Sequence, residues 1–439
     1  MLLKRLMKKS VMATVLALTM IVTTACSSTG TEKKGSNENV ELRYSIWDNT
    51  HKEAIETLIS EYEKANPNVD ISLEIISNGD YWTKMETAAA GGSAPDIFWV
   101  DARRFGTYAD NKMIVPMDEY IKENKIDMSQ YLESITNIYN FEGTQYAMPT
   151  FWDDNVLLIN TKMLEEYGIE APNKNWKWEE MLSWLKEAKT KLPSDIYPFS
   201  SNTVGYTQLG IFNGIALAGG EVISEDKTKA LIDTPESQEG YKTYLDLVKS
   251  DLHSPFDITM EIGAGTLFKS ERALVYQAGS YSLLTYSDKE QAQVAGNFEV
   301  YPMPLINEKS KTKSVIHGVG NVISANTKHP DEAFDFIKYM SSEESMRKYT
   351  ELALVSQAHK NVQEDYGKIM KEKTGLDVSV VYDVAEGAMP LPCSIETAKW
   401  DKIIVDNVSE YVQDKKSFED MIKDTQTEFQ AILDKENGK

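Results

Sequence analysis

Cysteine is nearly missing. Only Cys26 and Cys393 occur in 439 residues, and five histidines stand apart at 51, 253, 317, 329 and 359. Two thiols cannot build a disulfide framework, and histidines without ligand spacing do not make a metal site, so neither metal nor cofactor is expected. HExxH, Gly-x-Ser-x-Gly, a phosphate loop and a CxxC pair are absent as well, which removes the short motifs of metalloprotease, serine hydrolase, nucleotide and redox chemistry. There is no basic stripe. With a formal charge of −22, the chain lacks the clustered Lys and Arg that phosphate binding needs, so nucleic acid is not a partner. Tandem repeats and internal low-complexity tracts are also missing.

The remainder is a long, soluble, aromatic-rich chain. At 439 residues it exceeds one ordinary core, and two lobes are expected. Its hydrophobic fraction of 41% and charged fraction of 26% are those of a globular protein, with 22 Tyr and 8 Trp.

The N-terminus reads as a processed leader. Lys4, Arg5, Lys8 and Lys9 precede an apolar stretch, Val11 to Val22, of 12 residues. That is short for a membrane span and fits a secretory leader. Thr23-Thr24-Ala25-Cys26 resembles a bacterial lipobox, with Thr23 where Leu, Ile or Val is usual; cleavage at an ordinary signal site nearby is the other reading. Loss of residues 1–25 takes the net charge from −22 to −26, because the leader holds four positive and no acidic residues. Lipidation of Cys26 rules out an intrachain disulfide and leaves Cys393 as a quiet thiol. Residues 26–39, nearly free of apolar side chains, form a flexible tether from a membrane the chain does not span.

From Val40 the pattern is β-α-β-α-β. Val40 to Trp47 alternates, and Thr50-His51-Lys52-Glu53 has capping-box spacing ahead of Ile55, Leu58, Ile59 and Tyr62. Val69 to Ile75 alternates again, Asp80 to Ala90 can be helical, and Ile97 to Val100 is a buried strand ending at Asp101. Parallel strands in such a lobe present ligands at their carboxyl ends. There stand Trp47-Asp48 and Trp99 to Asp101, indoles beside carboxylates. An indole covers the C–H face of a pyranose while a carboxylate accepts from its hydroxyls. Core Trp with helix-capping Asp is the competing reading, and for Asp48 both roles stand open.

Residues 145–160 hold Pro149 and Thr150, then Phe151-Trp152-Asp153-Asp154-Asn155, then the continuously apolar Val156 to Ile159, a strand buried on both faces. The polar and aromatic knot is expected where the backbone passes between two bodies. Further on, Trp178, Met181, Leu182 and Leu185 share a helical face. Ala273 to Tyr276 runs into Gly279-Ser280-Tyr281, and Val315 to Ser324 is an apolar strand broken by Gly318 and Gly320. Pro330 opens a helix, and Ser417 caps the last one.

The ordered pieces Ala94-Pro95-Asp96-Ile97-Phe98-Trp99, Phe105 to Ala109, Gln145 to Pro149, Gly279-Ser280-Tyr281, Ala325 to Met340 and the late Pro-x-Pro with Trp400 together resemble the extracellular solute-binding proteins of carbohydrate ABC importers, family 1, the maltose-binding-like branch. The resemblance implies an α/β fold, a two-lobe periplasmic-binding-protein-like (type II) flytrap with a central parallel or mixed sheet in each lobe. Residues 40–149 and 318–355 are expected in the N-terminal lobe, and 150–317 and 356–439 in the C-terminal lobe. Crossings are expected near Pro149–Thr150 and His317–Gly320. The resemblance implies a non-catalytic monomer at the outer face of a bacterial membrane that binds a mono- or oligosaccharide and docks on an ABC permease. The ligand residues it implies are Trp47, Asp48, Asp101, Trp152, Asp153, Tyr281, Gly318 and Trp400, with Arg103 or Arg104 as an added donor. Trp400→Ala is expected to weaken binding by about 1–3 kcal/mol.

Other functional classes place different demands on these residues. A glycoside hydrolase needs two carboxylates roughly 5–9.5 Å apart. Asp153 and Asp154 point to opposite faces of extended backbone and cannot flank one bond, whereas Asp48 and Asp101 could. A surface adhesin predicts no closure on small ligands, and a cationic or peptide solute predicts a tight acidic cluster.

Overall fold

Val40–Ile46 (β1) buries Val40, Leu42 and Tyr44 on alternate positions, as period-two patterning requires. In the computed structural model, which describes residues 39–310, 312, 314–385 and 387–438, β1 pairs in parallel with both Val69–Ile75 (β2) and Ile97–Asp101 (β3). The leader, Cys26 and nearly all of the tether lie outside the described residues. Between the strands run Lys52–Ala65 (α1) and Asn78–Ala90 (α2). α1 buries Ala54, Ile55, Leu58, Ile59 and Tyr62, one helical face turned to the sheet. The capping box expected of Thr50 and Glu53 is not how this helix begins. A 3₁₀ turn, Asn49–His51, precedes it, and Asp48 caps that turn by accepting from the Thr50 amide at 2.8 Å and its hydroxyl at 2.7 Å.

The parallel strands are extended by antiparallel ones. Ala147–Asp153 (β4) ends the chain's first excursion. Asn155–Asn160 (β5), every residue buried, starts a second sheet. Tyr197–Ser200 (β6), Ala273–Gly279 (β7) and Phe298–Pro302 (β8) complete that sheet in the order β8-β5-β7-β6. Val315–Ile323 (β9) then returns to the first sheet and pairs antiparallel with both β3 and β4, and Met389–Pro390 (β10) adds to its start. One face of the second sheet has a layer of its own, packed by Leu157, Ile159, Met181, Leu185, Phe199 and Leu274, while its other face, with Val156, Leu158, Tyr276 and Val300, joins the cluster that packs the first sheet.

The changeover between sheets falls later than Pro149–Thr150. β4 stays paired with β9 down to Asp153 opposite His317, so Thr150 to Asp153 belong to the first sheet and Asp154 alone separates it from β5. The Asp154 amide donates to Ser280 Oγ at 3.0 Å, and its carbonyl accepts from the Ser280 amide at 2.9 Å. Gly318 and Gly320 flank a register slip in the β4–β9 ladder. A Cβ at Gly318 would lie 2.9 Å from Ile135 Cγ2, and one at Gly320 2.8 Å from Ala147 Cβ. Both glycines therefore serve close packing beneath the strand.

Residues 356–439 are not confined to one body. β10 joins the first sheet. The helix Phe418–Glu436 faces the other way, with Gln426 and Gln430 accepting from the amides of Ile232 and Ala230 at 2.9 Å each, while Thr397–Val412 touches both sides, Asp401 meeting Arg103 and Thr207.

Candidate functional site

Where β1, β4 and β7 end, a cavity of about 420 Å³ opens between the two sheets. Trp47 forms one wall. Its indole is held edge-to-face by Tyr81 (5.2 Å) and Trp99 (5.0 Å) and tilted against Trp82 (5.4 Å). A pinned ring loses little entropy on binding. Asp48 borders the same space, although Thr50 already occupies one of its oxygens.

The floor is built by β4 and β9. Asp153 is buried; its Oδ2 accepts from Gln208 Nε2 at 3.1 Å, and its Oδ1 lies 3.2 Å from His317 Nδ1. Gln208 begins a π-helical turn, Gln208–Phe212, the kind of irregularity often found at functional sites. With Nδ1 facing the carboxylate, Nε2 is the ring nitrogen left without a protein partner among the described residues. That nitrogen is buried at the cavity. An unpaired buried polar atom is costly. Opposite stands Tyr281, 53% exposed, on the 3₁₀ turn after β7. A Cβ at Gly279 would lie 2.3 Å from Tyr281 Cε1, so the ring rests on glycine backbone and turns its other face outward.

Four of the expected ligand residues stand elsewhere. Trp152 is buried on the far side of β4, its Nε1 donating to the Gln357 carbonyl at 3.0 Å. Gly318 likewise faces Ile135 rather than the cavity. Trp400 is fully buried, stacked on Phe429 at 4.3 Å with Nε1 donating to Ser394 Oγ at 2.8 Å. Asp101 caps the helix Ala102–Asp110 (α3) by accepting from the Arg104 amide at 2.9 Å, and it does not line the cavity.

The two arginines part ways. Arg104 runs outward to Glu86 at 3.0 Å and lies over Trp82. Arg103 is largely buried, pairs with Asp401 at 3.4 Å and sits 4.9 Å from the Tyr206 ring centroid. Thr207 Oγ1 donates to the same Asp401 at 2.5 Å. Burial raises the Tyr206 hydroxyl pKa, and Arg103 opposes that rise.

Phe151, His51, Tyr206 and His317 were not anticipated as lining residues, yet all border the cavity. His51 is buried; its Nδ1 lies 2.7 Å from Tyr349 Oη, and its ring is tilted on Phe151 at 4.6 Å. Burial lowers its pKa to about 4, against the pull of Asp48. Cys393 donates weakly to the Leu391 carbonyl, and burial pushes its thiol up to about 12, which keeps it unreactive.

Among the described residues no cluster of His, Cys, Asp and Glu could hold a metal ion, and no helix is long and apolar enough to cross a membrane.

The chain is similar to several characterised proteins. It is 22% identical over 386 residues to a multiple sugar-binding protein of Streptococcus mutans, covering 84% of this chain and 87% of that one. It is 23% identical over 317 residues to a maltotriose-binding protein of Pyrococcus abyssi, covering 70% and 64%. Among solved structures, the substrate-binding protein Lmo0181 of Listeria monocytogenes, in complex with cycloalternan, superposes with a TM-score of 0.78 at 19% identity, over 91% of this chain and 100% of that one. Maltose-bound MalE3 of T. maritima gives 0.75 at 18% identity, over 90% and 100%. These likenesses establish the two-lobe flytrap fold. The sequence pattern of one family matches residues 48–347, so this chain belongs to the bacterial extracellular solute-binding proteins.

Proposed function

We propose that the chain captures a neutral carbohydrate between its two sheets and presents it to an ABC permease without altering it. One observation carries this reading: the Asp153–His317 pair, with His317 Nε2 buried and unpaired, sits on the floor of a cavity walled by Trp47, Phe151 and Tyr281. Aromatic faces cover the C–H surface of a sugar, and the pair on the floor receives and orders its hydroxyls. The relatives that bind sugars support the same ligand class. A cationic solute is less well served. Both cavity carboxylates are already engaged, Asp48 by Thr50 and Asp153 by Gln208 and His317.

Calorimetric titration of the soluble domain against a sugar panel, with spermidine and short peptides alongside, tests the ligand class. Saturable binding to a sugar is expected; binding to polyamines or peptides alone would overturn it. The proposal includes attachment of the exported chain to the outer membrane face through Cys26, from the lipobox-like sequence before it. Mass spectrometry of the mature N-terminus checks this, and an unmodified Cys26 would refute it.

A further inference from the structure

Beyond the main cavity, Tyr206 and Tyr281 also border a second chamber of about 350 Å³, lined further by Phe256, Met260 and residues 201–205. Each space alone lies within the roughly 300–1,000 Å³ typical of small-molecule sites, and the tyrosines stand between them. We propose that this second chamber holds further, uncharged residues of the same ligand, so that the solute is an oligosaccharide extending from Asp153 past Tyr281 to Met260. The inference rests on the carbohydrate reading above.

Three features of the chamber support it. First, it is lined by no Asp, Glu, Lys or Arg, so an ion placed there would be desolvated without a counter-charge. Its histidine, His253, is buried and engaged on both sides, Nε2 at 2.9 Å from Ser201 Oγ and Nδ1 at 2.6 Å from the Ser254 carbonyl. Burial holds that ring's pKa near 4, so it is neutral in ordinary buffers. Second, among the described residues only three large apolar side chains are exposed, and two of them, Met260 at 61% and Tyr281 at 53%, border this chamber. Exposed apolar surface gathered at one concave place marks a contact surface. Third, apart from the two tyrosines, the chamber's partly exposed polar side chain is the neutral amide of Asn202, a group that both donates to and accepts from sugar hydroxyls. A monosaccharide held at Asp153 would leave this surface uncovered.

The test is a length series on the full soluble domain, using maltose to maltopentaose, sucrose–raffinose–stachyose, and arabinobiose to arabinotetraose, each titrated by calorimetry. Met260→Asp, a change at an exposed position, is titrated in parallel after its melting curve has shown it folded. In the series that binds, affinity is expected to rise about tenfold or more from the shortest bound member to the longest, as a further ring is buried. Met260→Asp is expected to erase that rise while leaving the shortest member's affinity unchanged. Affinity that is flat with length, or equal gains in wild type and Met260→Asp, would overturn the second chamber and leave the sugar reading standing. No binding by any member of any series would overturn both.

Discussion

Asp153 is the residue on which the site turns, because it joins the floor of the cavity to His317 and Gln208 through two hydrogen bonds. Asp153→Asn keeps the shape but removes the charge that strengthens these bonds. An affinity loss of about 1.5–3 kcal/mol is expected, the range for a hydrogen bond to a charged group, read by calorimetry on the best-binding sugar. Trp400 behaves oppositely. Its indole is fully buried against Phe429 and Phe212, so Trp400→Ala should cost about 3–5 kcal/mol of stability in urea unfolding. Ligand affinity of the folded fraction should be unchanged, which replaces the binding loss expected from sequence. The contrast is physical. Trp400 carries the same side-chain chemistry as the cavity-wall indole Trp47, and only the helix that places it inside decides its role.

At the scale of the element, strand periodicity explains most of what sequence reading misplaced. Phe151 and Asp153 are two apart on β4 and face the cavity together; Trp152 lies between them and must face away. The same alternation on β9 sends His317 and Val319 to the cavity and Gly318 to Ile135. The rule that separated Asp153 from Asp154 in the sequence applied equally to Trp152, so that much was legible. Asp154 itself closes the changeover between sheets. Burial raises its carboxyl well above the ordinary range, with the Ser280 hydroxyl opposing and Asp153 adding to the rise. A carboxyl whose folded pKa lies above its unfolded value binds its proton more tightly in the native state. Its stabilising contribution is therefore full below about pH 3.8 and is lost as pH rises above that toward the folded pKa. Asp154→Asn should accordingly raise the melting temperature more at pH 8 than at pH 4, as scanning calorimetry can measure.

Across the whole molecule, burial lowers the pKa of three histidines, His51, His253 and His359, and so ties stability to pH on the acid side. His51 and His253 both have folded pKa values lowered to about 4 by burial, against 6.5 for the free side chain. For these bases the native state resists protonation, so their stabilisation is full above pH 6.5 and is lost as pH falls from 6.5 toward 4. The urea midpoint is expected to fall through that window, and a His51→Gln, His253→Gln double variant should flatten the decline. Arg103, Asp401 and Thr207 add a tie of the same global kind, joining α3, the helix Thr397–Val412 and the segment ahead of the π-helical turn. The class of fold was legible in the sequence because β1-α1-β2-α2-β3 carries its own alternation and helical spacing, and the short apolar run Val156 to Ile159, bounded by polar residues, fits a strand buried on both faces. Trp47, Asp48 and Asp101 were legible as strand-end residues for the same local reason. Long-range assembly decided the rest. Pairing of β4 with β9, 169 residues apart at Thr150 and Val319, moved the changeover to Asp154. It also brought His317 beneath Asp153, and no local pattern encodes which distant strand a segment will meet. Local spacing by itself determined most of the elements; only the tertiary structure decided where the chain changes sheets and which aromatic and acidic groups share a cavity, because burial and pairing depend on neighbours remote in the chain.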